Sequence, residues 1–558
     1  MPALCWQIKE PQIFSRNFWA EGAQGMTIFA PRYLIPAALL GMTVAAGWVP
    51  VLRWALIVLG PILAIALWDF FQSSHALRRN YPILARFRWF MEDLRPYAQA
   101  YLVEGDLDGR PFSHQARALV YARAKGELDS HPMGTELNVY SDEYQWLSHS
   151  ITPNDQAPQH WRVLVGGPDT AKPYSSALLN ISAMSFGSLS ARAIEALNLG
   201  AKMGGFAHNT GEGSVSRYHR GQNNGQGGDL IWQVGSGYYG CRAKCGGFDP
   251  AQFADSSQSD QVKMIEVKLS QGAKPGHGGI LPGRKVTEEI AKARGIPLGE
   301  DCLSPAAHSA FSTPIELLEW IAKLRGLSGG KPVGMKLCVG KPHEVFALAK
   351  AMLETGITPD FITVDGAEGG TGAAPLELSN SVGMPLREGQ IMVRNALVGA
   401  GLKDRVKIAV SGKIHSGAGM AKAFALGADW CNSARPFMFS LGCIQSMQCH
   451  TGECPTGIAT QESWRQRGLV VEDKAPRVAR FQKQTVASLR EIVVAMGLQD
   501  PWQIGPHDMR ERLYGAKSNA VDSIYQFVAT GQLLADPGST AIAHHWHAAR
   551  ADSFSAVR

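Results

Sequence analysis

The chain has 558 residues, with 54 Lys+Arg against 48 Asp+Glu, 60 Gly and 9 Cys. At roughly 150 residues per domain this allows three or four domains, although an α/β barrel takes about 250 residues as one unit. A charged fraction of 18% beside 45% hydrophobics excludes a disordered or fibrous chain. The net charge of +6 is weak for this length, and with no long Lys/Arg block in the soluble part no nucleic-acid partner is expected. The cysteines are odd in number and thinly spread except for the last three, which favours a reduced compartment with a metal site over a disulfide scaffold.

Residues 1–32 carry Lys9, Arg16 and Arg32 and read as a short cytoplasmic segment, with Met26 an alternative start. Residues 33–71 are apolar apart from Arg53 and Asp69. One crossing takes about 20 apolar residues, so this stretch, broken at Gly47, Pro50 and Arg53, predicts two short transmembrane helices near 33–50 and 54–71. Pro61 would kink the second. Arg78, Arg79, Arg86, Arg88 and Arg95 follow, and only Arg53 lies in the turn. The positive-inside rule then puts both ends, and the large domain, in the cytoplasm, as a multi-pass membrane protein. A buried helical hairpin of a soluble protein is the competing reading. Residues 72–177 form a polar, Arg-rich connector and barrel-capping region. Within it Trp89, Phe90, Met91 and Leu94 mark an amphipathic helix, either on the membrane surface or a solvated connector.

From 178 to 465 short apolar runs alternate with helical stretches and Gly-rich turns. Strands are expected at Leu178–Ala183, Phe206–Asn209, Leu230–Val234, Met264–Leu269, Val333–Val339, Phe361–Val364, Lys407–Val410 and Trp430–Ser433. A further short run lies near Cys302–Ser304. Helices are expected between them, for example Ala191–Lys202, Pro314–Leu324 and Gln390–Val398. About eight βα units imply an α/β fold, a closed (β/α)8 TIM barrel. Residues 466–558 read as a mostly helical tail, clearest at Val478–Met496, with a poorly ordered His- and Ala-rich end.

The sharpest local pattern is GCIQSMQCHTGECPTG, which holds Cys443, Cys449 and Cys454 with spacing Cys-x5-Cys-x4-Cys. Three thiolates from one loop suit an iron–sulfur cluster. Zinc completed by His450, or free thiols, remain open on spacing alone. Cys431 reads as core, and Cys241 and Cys245 as packing. The second pattern is a set of Gly-rich loops directly after strands: Ser182–Ser190, Asn209–Ser214, Gln271–Gly279, Asp365–Pro375 and Ser411–Gly419. In a barrel all lie on the C-terminal face, where glycine lets backbone N–H groups approach a phosphate or a flat ring. Ser411–Gly419 and Ala434–Arg435 are the expected phosphate loops. Lys268, Lys274 and Lys336 sit at or beyond strand ends, and Lys274 and Lys336 are favoured for the site. Gln233 and Gln271 could hydrogen-bond a ring edge, and His277 lies inside a candidate loop.

SAMSFGSLS, NTGEG, QGAKPGHGG, LPGRKV, LSP, GGTGAAP and the three-Cys loop ending CPTGIATQ resemble the FMN-binding synthase domain of glutamate synthases, over roughly 160–465 and more weakly to about 515. The chain looks most like the stand-alone, membrane-anchored members of that family. The resemblance implies FMN held by Ala183, Met184, Ser185, Thr210, Gln233, Lys336, Gly369, Gly370, Thr371, Ser411, Gly412, Ala434 and Arg435. It implies a 3Fe–4S cluster on Cys443, Cys449 and Cys454, and 2-oxoglutarate contacts and catalysis by Gln271, Lys274, Arg294 and Lys336. In that family electrons pass through the cluster to FMN, from a donor such as ferredoxin or a reductase subunit. Reduced FMN then gives a hydride to 2-iminoglutarate, made from 2-oxoglutarate and ammonia.

Three departures bear on these expectations. Cys5 precedes an apolar segment and is no amidotransferase nucleophile, so glutamine should not be hydrolysed. No Gly-repeat domain follows the barrel. His277 and Ile280 stand where glutamate synthases have Glu and Gln, which removes a polar contact from the pocket. The alternative is therefore an FMN/iron–sulfur oxidoreductase of the same fold that acts on another oxo or amino acid, or exchanges electrons with a membrane carrier. A non-catalytic electron-relay scaffold fits poorly with Lys274, Arg294 and Lys336 all present. A nucleotide dehydrogenase fits poorly too, because Cys302 has no Gly-rich nucleophile loop.

Overall fold

A computed structural model describes residues 31–221, 227–514 and 517–557. The expectations for residues 1–30, including Cys5 and Met26, lie outside the described residues. The chain divides after Glu104 into two compact units.

In the second unit eight parallel strands close into a barrel. They are β1 (Leu179–Ile181), β2 (His208–Asn209), β3 (Leu230–Val234), β4 (Val262–Lys268), β5 (Val333–Leu337), β6 (Phe361–Asp365), β7 (Lys407–Ser411) and β8 (Trp430–Ser433). Each expected run has its strand, displaced only at the ends. The β-branched and aromatic runs form strands because helices cover the barrel's outer side, which makes them apolar on both faces. The helices between them are well capped: Ser190 accepts from the Ala193 N–H, and Thr313 and Glu316 form a reciprocal capping box. The run at Cys302–Leu303 lies outside the barrel, paired antiparallel with Ile280–Leu281.

Inward side chains rise in layers, because register and the two-residue strand period align them. Ile231 pairs with Met264, and Ala409 with Trp430. Together with Ala207 and Phe361 they form an apolar floor. An antiparallel hairpin, Arg162–Val165 with Tyr174–Ala177, seals this end through Val163, Val165 and Tyr174. Gly334 faces the Phe361 ring, where a Cβ would lie 2.5 Å from it, so only glycine fits. The next layer is polar. Buried Glu266 accepts from Asn209 (2.8 Å), Gln233 (2.7 Å) and Thr363 (2.6 Å). Above it stand Lys268, Lys336, Asp365 and Ser411, at the C-terminal ends of their strands.

The tail departs from expectation. Helix Val471–Ala495 is present, but Met509–Arg512 pairs with Gln145–Leu147 and Ser518–Ala520 in a three-stranded antiparallel sheet. The strand alternates, with Met509 and Glu511 buried, and Glu511 is held by Arg387 at 2.9 Å. The His- and Ala-rich end is docked rather than loose: Lys350 Nζ donates to the Ala549 carbonyl (2.9 Å) and lies 4.9 Å from the Trp546 ring centroid.

In the first unit helices Pro31–Trp48 and Leu56–Phe71 pack along each other through the turn Pro50–Ala55. Two membrane-length helices were expected. Among the described residues only the run Pro50–Phe71 is long and apolar enough to cross a membrane. The first helix carries Arg32 and Tyr33 at its start, with Pro31 and Pro36, and these dilute its apolar character.

Candidate active site

The strand ends and their loops surround a cleft of about 450 Å³, counted out to its open mouth. Ala183, Gln271, Lys336, Gly369, Gly370, Ser411, Gly412, Ala434 and Arg435 line it, joined by Ser182 and Asp365. Thirteen cofactor-binding residues were expected, and the cleft walls bring together eight of them.

Its packing is tight where loops meet. A Cβ on Gly272 would fall 1.8 Å from the Gly366 carbonyl oxygen, so the β4 and β6 loops touch backbone to backbone. The Gly272 N–H donates to Asp365 (2.9 Å), and Asp365 also holds buried Lys336, whose Nζ is 3.5 Å away. Ser182 and Ser411 hydroxyls meet at 3.2 Å. Arg435 donates to the Glu368 carbonyl (2.7 Å), with its guanidinium 4.9 Å from the centroid of Phe112.

The other expected cofactor residues do not line the cleft. Met184 is buried, and the Ser185 hydroxyl pairs with Ser188 at 3.0 Å. Thr210 is buried, donating to the Gly211 carbonyl (2.9 Å) and accepting from the Gln233 N–H (3.1 Å). The Gln233 amide is turned to Glu266. Thr371 is exposed.

Lys274 and Arg294 belong to a second, buried cluster with Glu212 and Lys268. The Lys268 Nζ donates to Gln271 and lies 3.1 Å from the Glu212 carboxylate. Lys274 donates to the Gly278 carbonyl (2.9 Å). Arg294 donates to the Phe186 carbonyl (3.0 Å), approaches the Cys302 sulfur at 3.6 Å and lies 5.2 Å from the Tyr239 ring centroid, while its buried Nε has no partner. Burial pushes the Glu212 carboxyl up, but Lys268, helped by Lys274 and Arg294, outweighs it and holds the group below its ordinary value. Burial lowers Lys274. Three cations meet one carboxylate, which leaves two positive charges in excess. Sequence reasoning did not single out Glu212; as the one acid in a glycine loop directly after a strand, it was findable.

Cys443, Cys449 and Cys454 are free thiols on one loop. That loop is tied down through its carbonyls: Lys285 donates to Cys449 (2.6 Å), Arg284 to His450 (3.1 Å) and the Tyr121 hydroxyl to Cys443. Burial pushes Cys443 up to about 12, with Cys449 and Cys454 adding to it. Among the described residues no group of three His, Cys, Asp or Glu side chains has metal-site geometry, although the three thiols stand close enough to act on one another electrostatically. Cys241 and Cys431 are buried and Cys245 is exposed. His277 is exposed, its Nδ1 2.9 Å from the Gly278 carbonyl oxygen, and Ile280 is half-buried.

A parallel (β/α)8 barrel with a glycine-walled cleft and a cationic cluster at its C-terminal mouth is the frame of a barrel enzyme. A family model described as the conserved region in glutamate synthase matches residues 168–499. The glutamate synthase large subunit-like protein YerD of Bacillus subtilis (strain 168) is 36% identical over 506 residues, 82% of this chain and 94% of that protein. The archaeal-type glutamate synthase (NADPH) of Thermotoga maritima is 36% identical over 318 residues, 57% of this chain and 59% of that protein. Among solved structures, a flavocytochrome b2 variant with pyruvate bound aligns at a TM-score of 0.40 and 14% identity, covering 76% of this chain and 85% of that one. The chain belongs to the glutamate synthase family, and is an oxidoreductase of the class acting on CH–NH2 groups.

Proposed function

We propose that the protein is a membrane-tethered, glutamate synthase-like oxidoreductase that binds FMN in the barrel cleft and makes glutamate from 2-oxoglutarate and ammonia through 2-iminoglutarate. The observation that carries the substrate reading is the excess of two positive charges in the buried Lys268–Lys274–Arg294–Glu212 cluster. A dicarboxylate brings two negative charges, and buried cations with few protein partners are where such an acid gains most.

The cleft suits FMN in kind. Gly369–Gly370, Ser411–Gly412 and Ala434–Arg435 offer backbone N–H groups and one guanidinium for a phosphate. A Cβ on Gly412 would meet Leu386 at 2.9 Å, so the narrow wall favours a bare backbone there. Lys336, buried and paired with Asp365, puts a fixed cation on the wall. When bound, FMN supplies the hydride donor. The chain's own residues bind and orient the acid: Lys274 and Arg294 take its carboxylates, while Lys268 and Glu212 set the local charge. Positioning is the main contribution these groups make.

The reading includes a 3Fe–4S cluster on Cys443, Cys449 and Cys454, supported by three free thiols on a loop clamped by Lys285 and Arg284. Such a cluster supplies one-electron transfer, with a ferredoxin or a reductase subunit as donor. It also includes a membrane anchor at Pro50–Phe71 with the barrel on the cytoplasmic side. The apolar helix is 6% buried, and the arginines Arg78, Arg79, Arg86, Arg88 and Arg95 follow it. A different oxo acid on the same scaffold is the second reading, favoured by Ile280 beside the site loop.

The test is anaerobic reduction of the detergent-purified protein, then addition of 2-oxoglutarate and ammonium. Flavin reoxidation with stoichiometric glutamate is expected. A flavin-loaded protein that makes no glutamate overturns the substrate reading. Cys449→Ser should lose iron and labile sulfide while keeping FMN; unchanged iron removes the cluster.

A further inference from the structure

A helix on the outside of a soluble protein turns polar residues to water and apolar ones inward. Helix Leu84–Ala98 exposes apolar side chains alongside its polar ones. Leu84 (62% exposed), Phe87 (63%), Phe90 (57%) and Leu94 (42%) recur at helical spacing and form one uncovered apolar stripe. On the opposite side Ala85 is buried, and Trp89 packs edge-on against His75 with the Arg78 guanidinium 4.5 Å from its ring centroid.

The helix is fixed to the end of the apolar helix by a rigid corner. Asp69, fully buried, accepts two bonds from the Arg86 guanidinium, at 2.8 and 2.7 Å, and one from the Ile83 N–H at 3.1 Å. Ile83 has φ +64° and ψ −53°, the centre of a tight turn in which the Leu84 N–H donates to the Pro82 carbonyl (2.7 Å), a strained backbone that a β-branched residue adopts only when its surroundings impose it. A doubly bonded arginine–carboxylate pair, its carboxylate buried and its guanidinium half-buried, and a strained corner make a poor hinge. They set the direction in which the stripe faces.

We infer that helix Leu84–Ala98 lies in the plane of the membrane surface, with its apolar stripe among the acyl chains and its arginines at anionic lipid headgroups. Two observations favour lipid as the occupant. Only twelve residues separate Phe71, the end of the apolar membrane-length helix, from Leu84, the start of the stripe. Between Ala76 and Ala98 stand Arg78, Arg79, Arg86, Arg88 and Arg95 against Glu92 and Asp93, and Arg88 and Arg95 flank the stripe on one side. The inference rests on the membrane reading above and adds a second, interfacial contact to it.

The test uses the full-length protein in vesicles of phosphatidylcholine and phosphatidylglycerol. Benzoylphenylalanine, which keeps the native ring and extends it by a benzoyl group into the open space beside these exposed positions, replaces Phe87 or Phe90 in turn. Parallel samples carry it at Ile57 in the apolar helix and at exposed Asp93. After irradiation, intact mass should show lipid adducts at Phe87, Phe90 and Ile57, with at least a fivefold lower yield at Asp93. Cross-links from Phe87 or Phe90 to the barrel or to a second copy, or no lipid adduct there while Ile57 gives one, overturn the inference and leave the membrane anchor standing. Absence of adducts at Ile57 as well overturns both.

Discussion

The two ends of the barrel are built from the same strands and obey opposite rules. On β6, Phe361 lies at the floor, Thr363 in the middle and Asp365 at the mouth; on β4 the sequence of layers is Met264, Glu266 and Lys268. The floor holds only apolar side chains, sealed by Val163, Val165 and Tyr174. The mouth holds Lys268, Lys336 and Asp365, with Glu212 and Lys274 from the loops and Arg294 from the end of helix Glu288–Arg294; Lys274, Arg294, Lys336 and Asp365 are buried, and Lys268 and Glu212 largely so. Burying charge costs stability unless it is paired, so the mouth is a place where the fold tolerates loss, and the floor a place where it recovers it. A barrel thus separates stability from chemistry along each strand, within four residues.

That separation can be broken most severely at the floor. Trp430 is fully buried, packs against Phe361 at 5.5 Å between centroids, and spends its ring N–H on Asn432. Trp430→Ala should cost about 3–5 kcal/mol, from lost burial and the cavity left behind. Denaturant unfolding would read it. FMN content per folded molecule should stay unchanged, and a selective loss of FMN would mean that the floor shapes the mouth.

The next effect comes from polarity outside the mouth. His208 is fully buried on β2, both ring nitrogens lack a partner, and burial pushes it down to about 3. Its neighbour His219, with ring centroids 5.2 Å apart, is also lowered by burial and then by His208. A folded value below the unfolded one means that the unfolded chain binds the proton first. The stability contributed by a neutral His208 is complete above about pH 6.5 and is lost as pH falls toward 3, by about 1.4 kcal/mol per pH unit. Between pH 6.5 and 5 the loss is about 2 kcal/mol for His208 alone. His208→Phe should flatten the acid limb of an unfolding-midpoint series; an unchanged limb would assign the acid sensitivity elsewhere.

At the mouth, stability and function should come apart. Lys274 is buried with one carbonyl partner, and its charge is disfavoured there. Lys274→Met removes a desolvated cation while keeping the volume, so stability should change by no more than about 1 kcal/mol. Loss of a charged hydrogen bond of about 1.5–3 kcal/mol should raise KM for the acid roughly 10- to 150-fold. A variant that loses stability but keeps KM would make Lys274 a structural cation.

Much of this was legible in the sequence, for identifiable reasons. The eight strands showed because parallel strands are apolar on both faces and end in glycine turns. The mouth loops showed because Gly272, Gly370 and Gly412 are needed where backbones approach. Thr210 and Gln233 lie behind the cleft wall, their side chains bonded to Gly211 and Glu266, and no local pattern announces a buried acceptor on a neighbouring strand. Glu266 itself, on an interior face, looked like any charged residue in a strand. The tail sheet was missed because Gln145–Leu147 pairs with Met509–Arg512 across more than 350 residues, too far apart for periodicity to connect.

The smallest expected effect probes the two departures in the site loop. Ile280 is half-buried in a two-residue strand whose ladder partner is Leu303, so Ile280→Gln keeps the backbone pairing and exchanges one methylated branch for an amide. The His277 side chain is exposed, with its ring against the Gly278 carbonyl, and the backbone N–H of His277 donates to the Lys274 carbonyl. His277→Glu therefore adds a negative charge near Lys274 without disturbing buried packing, and stability should move by no more than about 0.5 kcal/mol. If the pocket already takes 2-oxoglutarate, the added carboxylate competes for Lys274, and kcat/KM for glutamate formation should stay level or fall, by no more than about 10-fold. If the paired change instead creates glutamate formation in a protein that has none, the native pocket serves a different acid. The cationic cluster would then be read as general to dicarboxylates or amino acids, with the identity of the ligand set by the wall at 277 and 280.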